Sequence, residues 1–177
     1  AFISFEGTHR VALYDTNGQG QSVLPSHPDF AGLQFNSGLE ALAIGPDGAL
    51  YAVPERSGQI SRPFPLYRFD GTAWSIAAHL PRRPPYLVSG ADIGPDGRFY
   101  LLERDLTPFG FVNRVRRFAL DGSDEEVVLD IDTLGRGNLE GLSVWRDGTG
   151  DLRLTLISDD NFQPFLPSHI VEYRLTD

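Results

Sequence analysis

The stretch LEALAIGPDGALYAVPER, from Leu39 to Arg56, constrains the fold more than any other part of this sequence. Two short apolar runs flank a Pro-Asp-Gly triplet at positions 46–48. Proline presets φ for a tight turn and glycine tolerates a positive φ, so the triplet predicts a chain reversal. The stretch is therefore predicted to form a β-hairpin. Because a hairpin returns to its starting edge, Glu40 should lie near Glu55 and Arg56.

The hairpin pattern recurs along the chain at a regular interval. Residues 88–105 repeat the Pro-Asp-Gly turn, and residues 139–160 repeat the pattern with a longer turn. Gly45 and Gly94, which precede the first two turns, lie 49 residues apart. Repeats of this length that are built from short strands indicate a solenoid or a propeller.

Each of the two complete repeats also contains a second hairpin, at residues 65–78 and 115–129, with an Asp-Gly turn. Four antiparallel strands per period of about 50 residues are typical of a propeller blade. We therefore predict an all-β fold, a β-propeller with about three and a half four-stranded antiparallel blades. As one partial propeller domain, the chain should have blades at approximately 1–36, 37–86, 87–136 and 137–177. Propellers usually close with four to eight blades, so we expect missing N-terminal blades or a second chain to complete the ring.

The composition excludes several classes of function. The chain has 177 residues and a formal net charge of -9, with 24 acidic residues against 15 basic ones. A nucleic-acid-binding protein would need a basic surface, so we expect no nucleic-acid partner. The absence of cysteine excludes disulfides and thiolate metal sites. No apolar run approaches the length that spans a bilayer, so we expect no membrane span.

Acidic side chains recur where the predicted hairpins begin and end, and the propeller topology would bring them to one face of the ring. Converging carboxylates repel one another unless cations or arginines compensate. Ligands that are all oxygen suit a hard cation, Ca²⁺ or Mg²⁺, better than zinc, and we predict a divalent cation, with Ca²⁺ favoured, as the cofactor. The alternative is that the acids pair with neighbouring arginines or cap loops. The predicted metal ligands are Glu40, Glu55, Glu103, Glu140, Asp159 and Asp160, with Arg10, Arg56 and Arg104 interleaved.

The densest group of polar residues flanks the last hairpin. Asn138 and Glu140 precede it, and Asp159, Asp160 and Asn161 follow it. These five side chains are expected to lie side by side, with Glu140 and Asp159 at the centre of the site.

A second, weaker signal lies near the beginning of the chain. His9 and Arg10 follow the first predicted strand and are candidates for contact with an anionic ligand. Together with Asn138 and Asn161, they are the predicted substrate-binding residues.

The motifs NLEGL (138–142), LISDDNF (156–162), IVEYRL (170–175) and SFEGTHRV (4–11) resemble the phytase-like domain family. The family is also described as having esterase-like activity of phytase. The resemblance covers nearly the whole chain and implies a propeller, secretion or export to the periplasm, and metal-dependent hydrolysis of a small phosphorylated substrate. Members are usually longer, which implies N-terminal blades outside this sequence. Ser89 stands where the other repeats have glutamate, so one potential ligand is lost.

If this chemistry operates here, cations held by the carboxylates would polarise the phosphoryl oxygens and lower the pKa of a bound water. Arg56 and Arg104 would bind the phosphate and stabilise the developing charge. The predicted catalytic residues are therefore Glu140, Asp159, Arg56 and Arg104.

Two alternatives remain open. One is a calcium-dependent lactonase-type hydrolase, since propellers of the gluconolactonase kind also repeat Pro-Asp-Gly hairpins. The other is a non-catalytic propeller that binds a partner or a structural ion.

Overall fold

The computed structural model consists of short antiparallel strands joined by tight turns, and it describes residues 1–18, 20–35, 37–131, 137–162 and 168–176. The described residues contain fourteen strands in four sheets of three, four, four and three strands. The predicted all-β propeller architecture is confirmed. A 3₁₀ helix at Pro28–Gly32 was not predicted; it is only five residues long, and no 3.6-residue apolar period marks it. No helix in the described residues is long and apolar enough to cross a membrane.

The chain divides into two compact units, of which the first comprises Ala1–Pro84. Its two sheets follow one another along the chain, and each strand pairs with the next one in sequence. The first sheet contains β1 (Phe2–Phe5), β2 (Arg10–Tyr14) and β3 (Gln21–Val23). The second contains β4 (Ala41–Ile44), β5 (Leu50–Val53), β6 (Phe64–Phe69) and β7 (Trp74–Leu80).

The second unit comprises Pro85–Asp177 and has the same meander topology. Its first sheet contains β8 (Leu87–Ile93), β9 (Phe99–Thr107), β10 (Gly110–Phe118) and β11 (Glu126–Ile131). Its second sheet contains β12 (Asn138–Arg146), β13 (Leu152–Asp159) and β14 (Ile170–Arg174). Strands β9 and β10 pair as far as Thr107 and Gly110, so their hairpin is longer than the sequence predicted.

The Pro-Asp-Gly turns form as predicted. Gly48 and Gly97 have φ values of 79° and 75°, a region that glycine enters without a steric penalty. In each turn the aspartate side chain accepts a hydrogen bond from the backbone two residues later: Asp47 from Ala49 at 3.1 Å and Asp96 from Arg98 at 3.2 Å. These bonds stabilise the reversal and leave the aspartates in structural roles.

Each unit has its own apolar core. In the first unit, Leu50 and Ala52 of β5 pack with Val11 of β2 and with Tyr67 of β6. In the second unit, Leu102 of β9 packs in a cluster with residues of β12 and β13. The side chains that interdigitate there are Val115, Leu139, Val144, Leu154 and Leu156.

Close backbone contact joins the two sheets of the second unit. Ser89 donates a hydrogen bond to the Leu139 carbonyl at 2.9 Å, and Asp92 accepts one from the Val144 backbone at 2.7 Å. Burial raises the pKa of Asp92. A Cβ at Gly90 would lie 2.8 Å from the Glu140 carbonyl oxygen, so glycine is required there. These contacts fix β12 against β8 and thereby position the start of β12.

Candidate functional site

The two halves of the NLEGL and SDDN motif pair meet in a hydrogen-bonded group in the second unit. Arg104 of β9 donates to Asn138 Oδ1 at 2.5 Å and lies 3.1 Å from Glu140 Oε1. The Asn138 amide nitrogen donates to Glu140 Oε1 at 2.7 Å and to Asn161 Oδ1 at 3.2 Å. We refer to Arg104, Asn138, Glu140 and Asn161 as the Arg104 cluster. The predicted juxtaposition of these motifs is therefore present.

Local backbone features place these side chains. Asn138 pairs with Asp159, but the register between β12 and β13 shifts between Leu139 and Gly141. Glu140 is therefore the extra residue of a β-bulge, a feature that re-aims a side chain. Beyond β13, Asn161 has a φ of 51°, which is uncommon for a residue other than glycine. Its backbone N–H donates to Asp159 Oδ1 at 3.1 Å and holds this turn in place.

Solvent reaches one side of the Arg104 cluster. The side chains of Arg104 and Glu140 are 19% and 36% exposed, whereas Asn138 is buried. Asn161 is exposed. A guanidinium, a carboxylate and a carboxamide are therefore available to a ligand, with a buried asparagine holding them together.

Glu103 has a different environment from Arg104. Its fully buried carboxylate accepts a hydrogen bond from Arg114 at 2.7 Å, and its two oxygens accept from Arg116 at 2.6 and 2.7 Å. Arg116 also donates to Glu125 at 2.6 Å. Since successive side chains of a strand point to opposite faces, Glu103 lies on the face of its sheet away from Arg104.

Sequence reasoning missed the arginine partners of Glu103. Arg114 and Arg116 are two residues apart on β10, which places both on the same face of the sheet as Glu103. The spacing of Arg114 and Arg116 indicates that they share a face of the strand. Only the register of the β9–β10 hairpin shows that Glu103 lies on that face too. The group is a buried ion-pair network, and it matches the arginine-pairing alternative considered for these acids.

The predicted site residues of the first unit are distributed among separate contacts. Arg56 Nε lies 3.4 Å from the buried carboxylate of Glu55. Arg10 lies 4.0 Å above the Phe5 ring and donates to the Thr8 carbonyl at 3.1 Å. His9 Nδ1 is buried without a hydrogen-bond partner among the residues described. Glu40 is half-buried where its strand begins.

The predicted metal ligands divide between the two units. Glu40 and Glu55 belong to the first unit, whereas Glu103, Glu140, Asp159 and Asp160 belong to the second. Across the described parts of the chain, no three acidic or histidine side chains are arranged to hold a metal ion. Ligation of Ca²⁺ by these residues stays a prediction.

The sequence matches the family Phytase-like, described as esterase-like activity of phytase, over residues 1–162. This match covers most of the chain. Comparison with curated proteins gave no match.

Several solved propeller structures resemble this fold. A chain of the nidogen/laminin complex has a TM-score of 0.60 at 13% identity, with 98% of this chain covering 56% of that one. The endo-arabinase from Bacteroides thetaiotaomicron VPI-5482 has a TM-score of 0.57 at 16% identity, with coverage of 98% and 69%. The Hadza microbial sialidase Hz136 has a TM-score of 0.53 at 14% identity, with coverage of 97% and 39%. At these identities, the likeness shows the fold alone.

Proposed function

Because the chain belongs to the phytase-like family, described as esterase-like activity of phytase, we propose that it hydrolyses phosphoric esters of small molecules at the Arg104 cluster. One observation carries the proposal. Arg104 and Glu140 lie 3.1 Å apart between the two sheets of the second unit, where solvent reaches them, and the family-like motifs supply Glu140 and its neighbours. A cation beside a carboxylate is the pair of groups that hydrolysis of an anionic ester requires.

In this proposal Arg104 binds the phosphoryl group. A guanidinium presents planar, paired N–H donors that match two phosphoryl oxygens, and it carries a permanent positive charge. The negative charge of the transition state spreads over the equatorial oxygens, so a fixed guanidinium stabilises that state. Asn161 adds a carboxamide at the edge of the same cluster.

Glu140 is the proposed general base. Its carboxylate takes a proton from a water molecule as the water oxygen attacks phosphorus. The bond between phosphorus and the ester oxygen breaks, and that oxygen leaves with the electron pair and takes up a proton from solvent. Asn138 is a positioning residue, because it bonds to both Arg104 and Glu140 while remaining buried. Its amide fixes the distance between the acid–base group and the phosphate-binding group.

The proposed steps do not involve the predicted Ca²⁺. A divalent cation, when bound, supplies Lewis-acid polarisation of a phosphoryl oxygen. The oxygen ligands predicted for it here are Glu140, Asp159 and Asp160. Glu140 Oε1 and Asn138 Oδ1 instead face the Arg104 guanidinium. The described acids also form no three-ligand group.

The test is steady-state hydrolysis of p-nitrophenyl phosphate by the wild type and by Arg104→Gln. Removal of one preorganised donor to a developing anion typically lowers kcat by about 100-fold or more, and we expect a loss of that size. Arg98→Gln is the matched control, since Arg98 contacts Asp124 at a turn of the same unit outside the cluster. Equal activity of Arg104→Gln and Arg98→Gln would contradict the assignment.

Gluconolactone, tested as a second substrate, distinguishes the proposed phosphoesterase from the lactonase and binding-propeller alternatives. Gluconolactone hydrolysis without phosphomonoester hydrolysis would replace the proposal with the lactonase alternative. Turnover of neither substrate by a folded wild type would leave the binding-propeller alternative.

A further inference from the structure

A cavity of about 430 Å³ opens in the first unit, and all of its lining residues lie within residues 1–84. Its volume lies within the range of about 300–1,000 Å³ that is usual for small-molecule sites. The walls are largely apolar, with Leu33, Pro54, Pro63, Pro65 and Ile76 among the lining side chains. The cavity shares no lining residue with the Arg104 cluster.

Positive charge lines this cavity in a protein whose net charge is -9. Arg56 and Arg62 both contribute to the lining, and both are exposed. The lining carboxylate is Asp29, which accepts a hydrogen bond from Tyr67 at 3.1 Å and lies 3.6 Å from His27 Nδ1. Its partners are therefore a tyrosine and a histidine. Arg56 Nε lies 3.4 Å from the buried Glu55 carboxylate, so the excess positive charge at the lining comes chiefly from Arg62.

A third arginine holds the loop that carries Arg62. Arg82 donates to Ser57 Oγ at 3.2 Å and to the Gln59 carbonyl at 3.0 Å. Ser57 in turn donates to the Arg62 carbonyl at 2.5 Å. The guanidinium of Arg62 is thus presented by a loop that is tied down at several points, which lowers the entropy lost when it binds a ligand.

Arg82 lies near the positive charge of Arg56. Burial lowers the pKa of Arg82, the Arg56 charge lowers it further, and the Glu55 carboxylate raises it in part. Its Nε is buried without a hydrogen-bond partner among the described residues. An anion in the adjoining cavity would offset repulsion between these guanidinium groups.

We propose that this cavity binds an organic anion, with a phosphoryl or carboxylate group held by Arg56 and Arg62 and an apolar body packed against Pro63, Pro65 and Ile76. Both head groups offer two oxygens to a guanidinium, so they share the chemistry that the arginines recognise. The apolar walls favour a ligand with a ring or a short hydrocarbon chain over a bare inorganic ion.

The test is isothermal titration of the full chain with phenylphosphonate, benzoate, inorganic phosphate and benzyl alcohol. Phenylphosphonate has a carbon–phosphorus bond that an esterase does not cleave. Because the proposed function has Arg104 bind phosphoryl groups, each titration is made with Arg104→Gln as well as with the wild type, and binding that persists in Arg104→Gln is independent of the proposed hydrolysis. In Arg104→Gln we expect one binding site for phenylphosphonate or benzoate, and the tighter of the two identifies the head group. Inorganic phosphate and benzyl alcohol should each bind at least tenfold more weakly, since each lacks one half of the ligand.

Variants assign the binding to this cavity. Arg62→Gln should weaken binding about tenfold or more through the loss of charge-assisted hydrogen bonds. Gln34→Glu, an isosteric change at another exposed lining residue, should also weaken it by adding a negative charge. Arg83→Gln is the matched control, because Arg83 is exposed and does not line the cavity.

Three results would overturn the proposal. The first is that neither aromatic anion binds at 10 mM. The second is that inorganic phosphate binds as tightly as phenylphosphonate. The third is that Arg62→Gln and Arg83→Gln bind alike while circular dichroism shows both folded.

Discussion

The buried carboxylate of Glu103 should be the most sensitive charged position in the second unit. It and Arg116 are both fully buried, and three hydrogen bonds of 2.6–2.7 Å from Arg114 and Arg116 converge on it. Glu103→Gln preserves the side-chain shape but replaces one acceptor oxygen with an NH₂ group. That NH₂ group would face a guanidinium donor, so at least one charge-assisted bond is lost and a buried donor is left unpaired.

The magnitude follows from these contacts. Each charge-assisted bond contributes about 1.5–3 kcal/mol, and an unpaired buried group costs about 1–3 kcal/mol more. Breaking one side of a buried ion pair typically destabilises a protein by about 3–5 kcal/mol, which agrees with the sum. Total stabilities are about 5–15 kcal/mol, so Glu103→Gln should remove a large share of the free energy of unfolding.

The assay is urea denaturation at pH 7, followed by far-ultraviolet circular dichroism. With a slope of about 2 kcal/mol per molar urea, the midpoint should fall by about 1.5–2.5 M. Glu126→Gln is the matched control: Glu126 is exposed and pairs with Arg117 at 2.8 Å between the same two strands, β10 and β11. An exposed pair contributes about 0.2–1 kcal/mol, so this midpoint should move by about 0.5 M or less. Equal shifts for the two variants would refute the argument.

Three further predictions follow from local contacts. Gly90→Ala should destabilise the second unit by about 1–3 kcal/mol, because its Cβ would lie 2.8 Å from the Glu140 carbonyl oxygen; an unchanged melting temperature would contradict this. Backbone and Thr72 hydrogen bonds lower the pKa of Asp70 to about 2, so its stabilising effect is present above pH 4 and is lost as the pH falls towards 2; the stability difference between wild type and Asp70→Asn should therefore be smaller at pH 2.5 than at pH 5. If Ca²⁺ binds at Glu140, calcium should raise the melting temperature of the wild type more than that of Glu140→Gln; a wild type that is indifferent to calcium, with a variant at least as stable, would remove the metal site.

The turns and strand order could be predicted because their signals are local. Pro-Asp-Gly at 46–48 and 95–97 specifies a reversal with its own side-chain hydrogen bond, and the apolar runs beside it specify the paired strands. The β9–β10 reversal at 107–110 was missed because it contains no Asp-Gly pair. Thr107 forms that turn by donating to the Gly110 carbonyl and accepting from the Phe109 backbone.

Which acidic side chains lie together could not be predicted from their spacing in the sequence. Glu103 and Arg104 are adjacent in β9, so their side chains point to opposite faces of the sheet. Glu103 therefore joins the buried ion pairs, and Arg104 joins the Arg104 cluster. Glu103 and Glu140 were predicted to lie together because each lies where a predicted hairpin begins or ends. That criterion ignores the alternation of side chains between the two faces of a strand. Assigning the faces correctly requires the register of β9 with β10 and of β12 with β13, and both depend on turns and bulges.

The repeats place different chemistry on the same backbone feature. Ser89 lies at a register shift between Val88 and Gly90, and Glu140 lies at the corresponding shift between Leu139 and Gly141. Ser89 is buried and bonds to the Leu139 carbonyl, so there the bulge joins two sheets. Glu140 reaches solvent and pairs with Arg104, so there the same bulge presents a carboxylate, the proposed general base. In the proposed hydrolysis, the side chain at the bulge, rather than the repeat itself, therefore decides which blade carries chemistry.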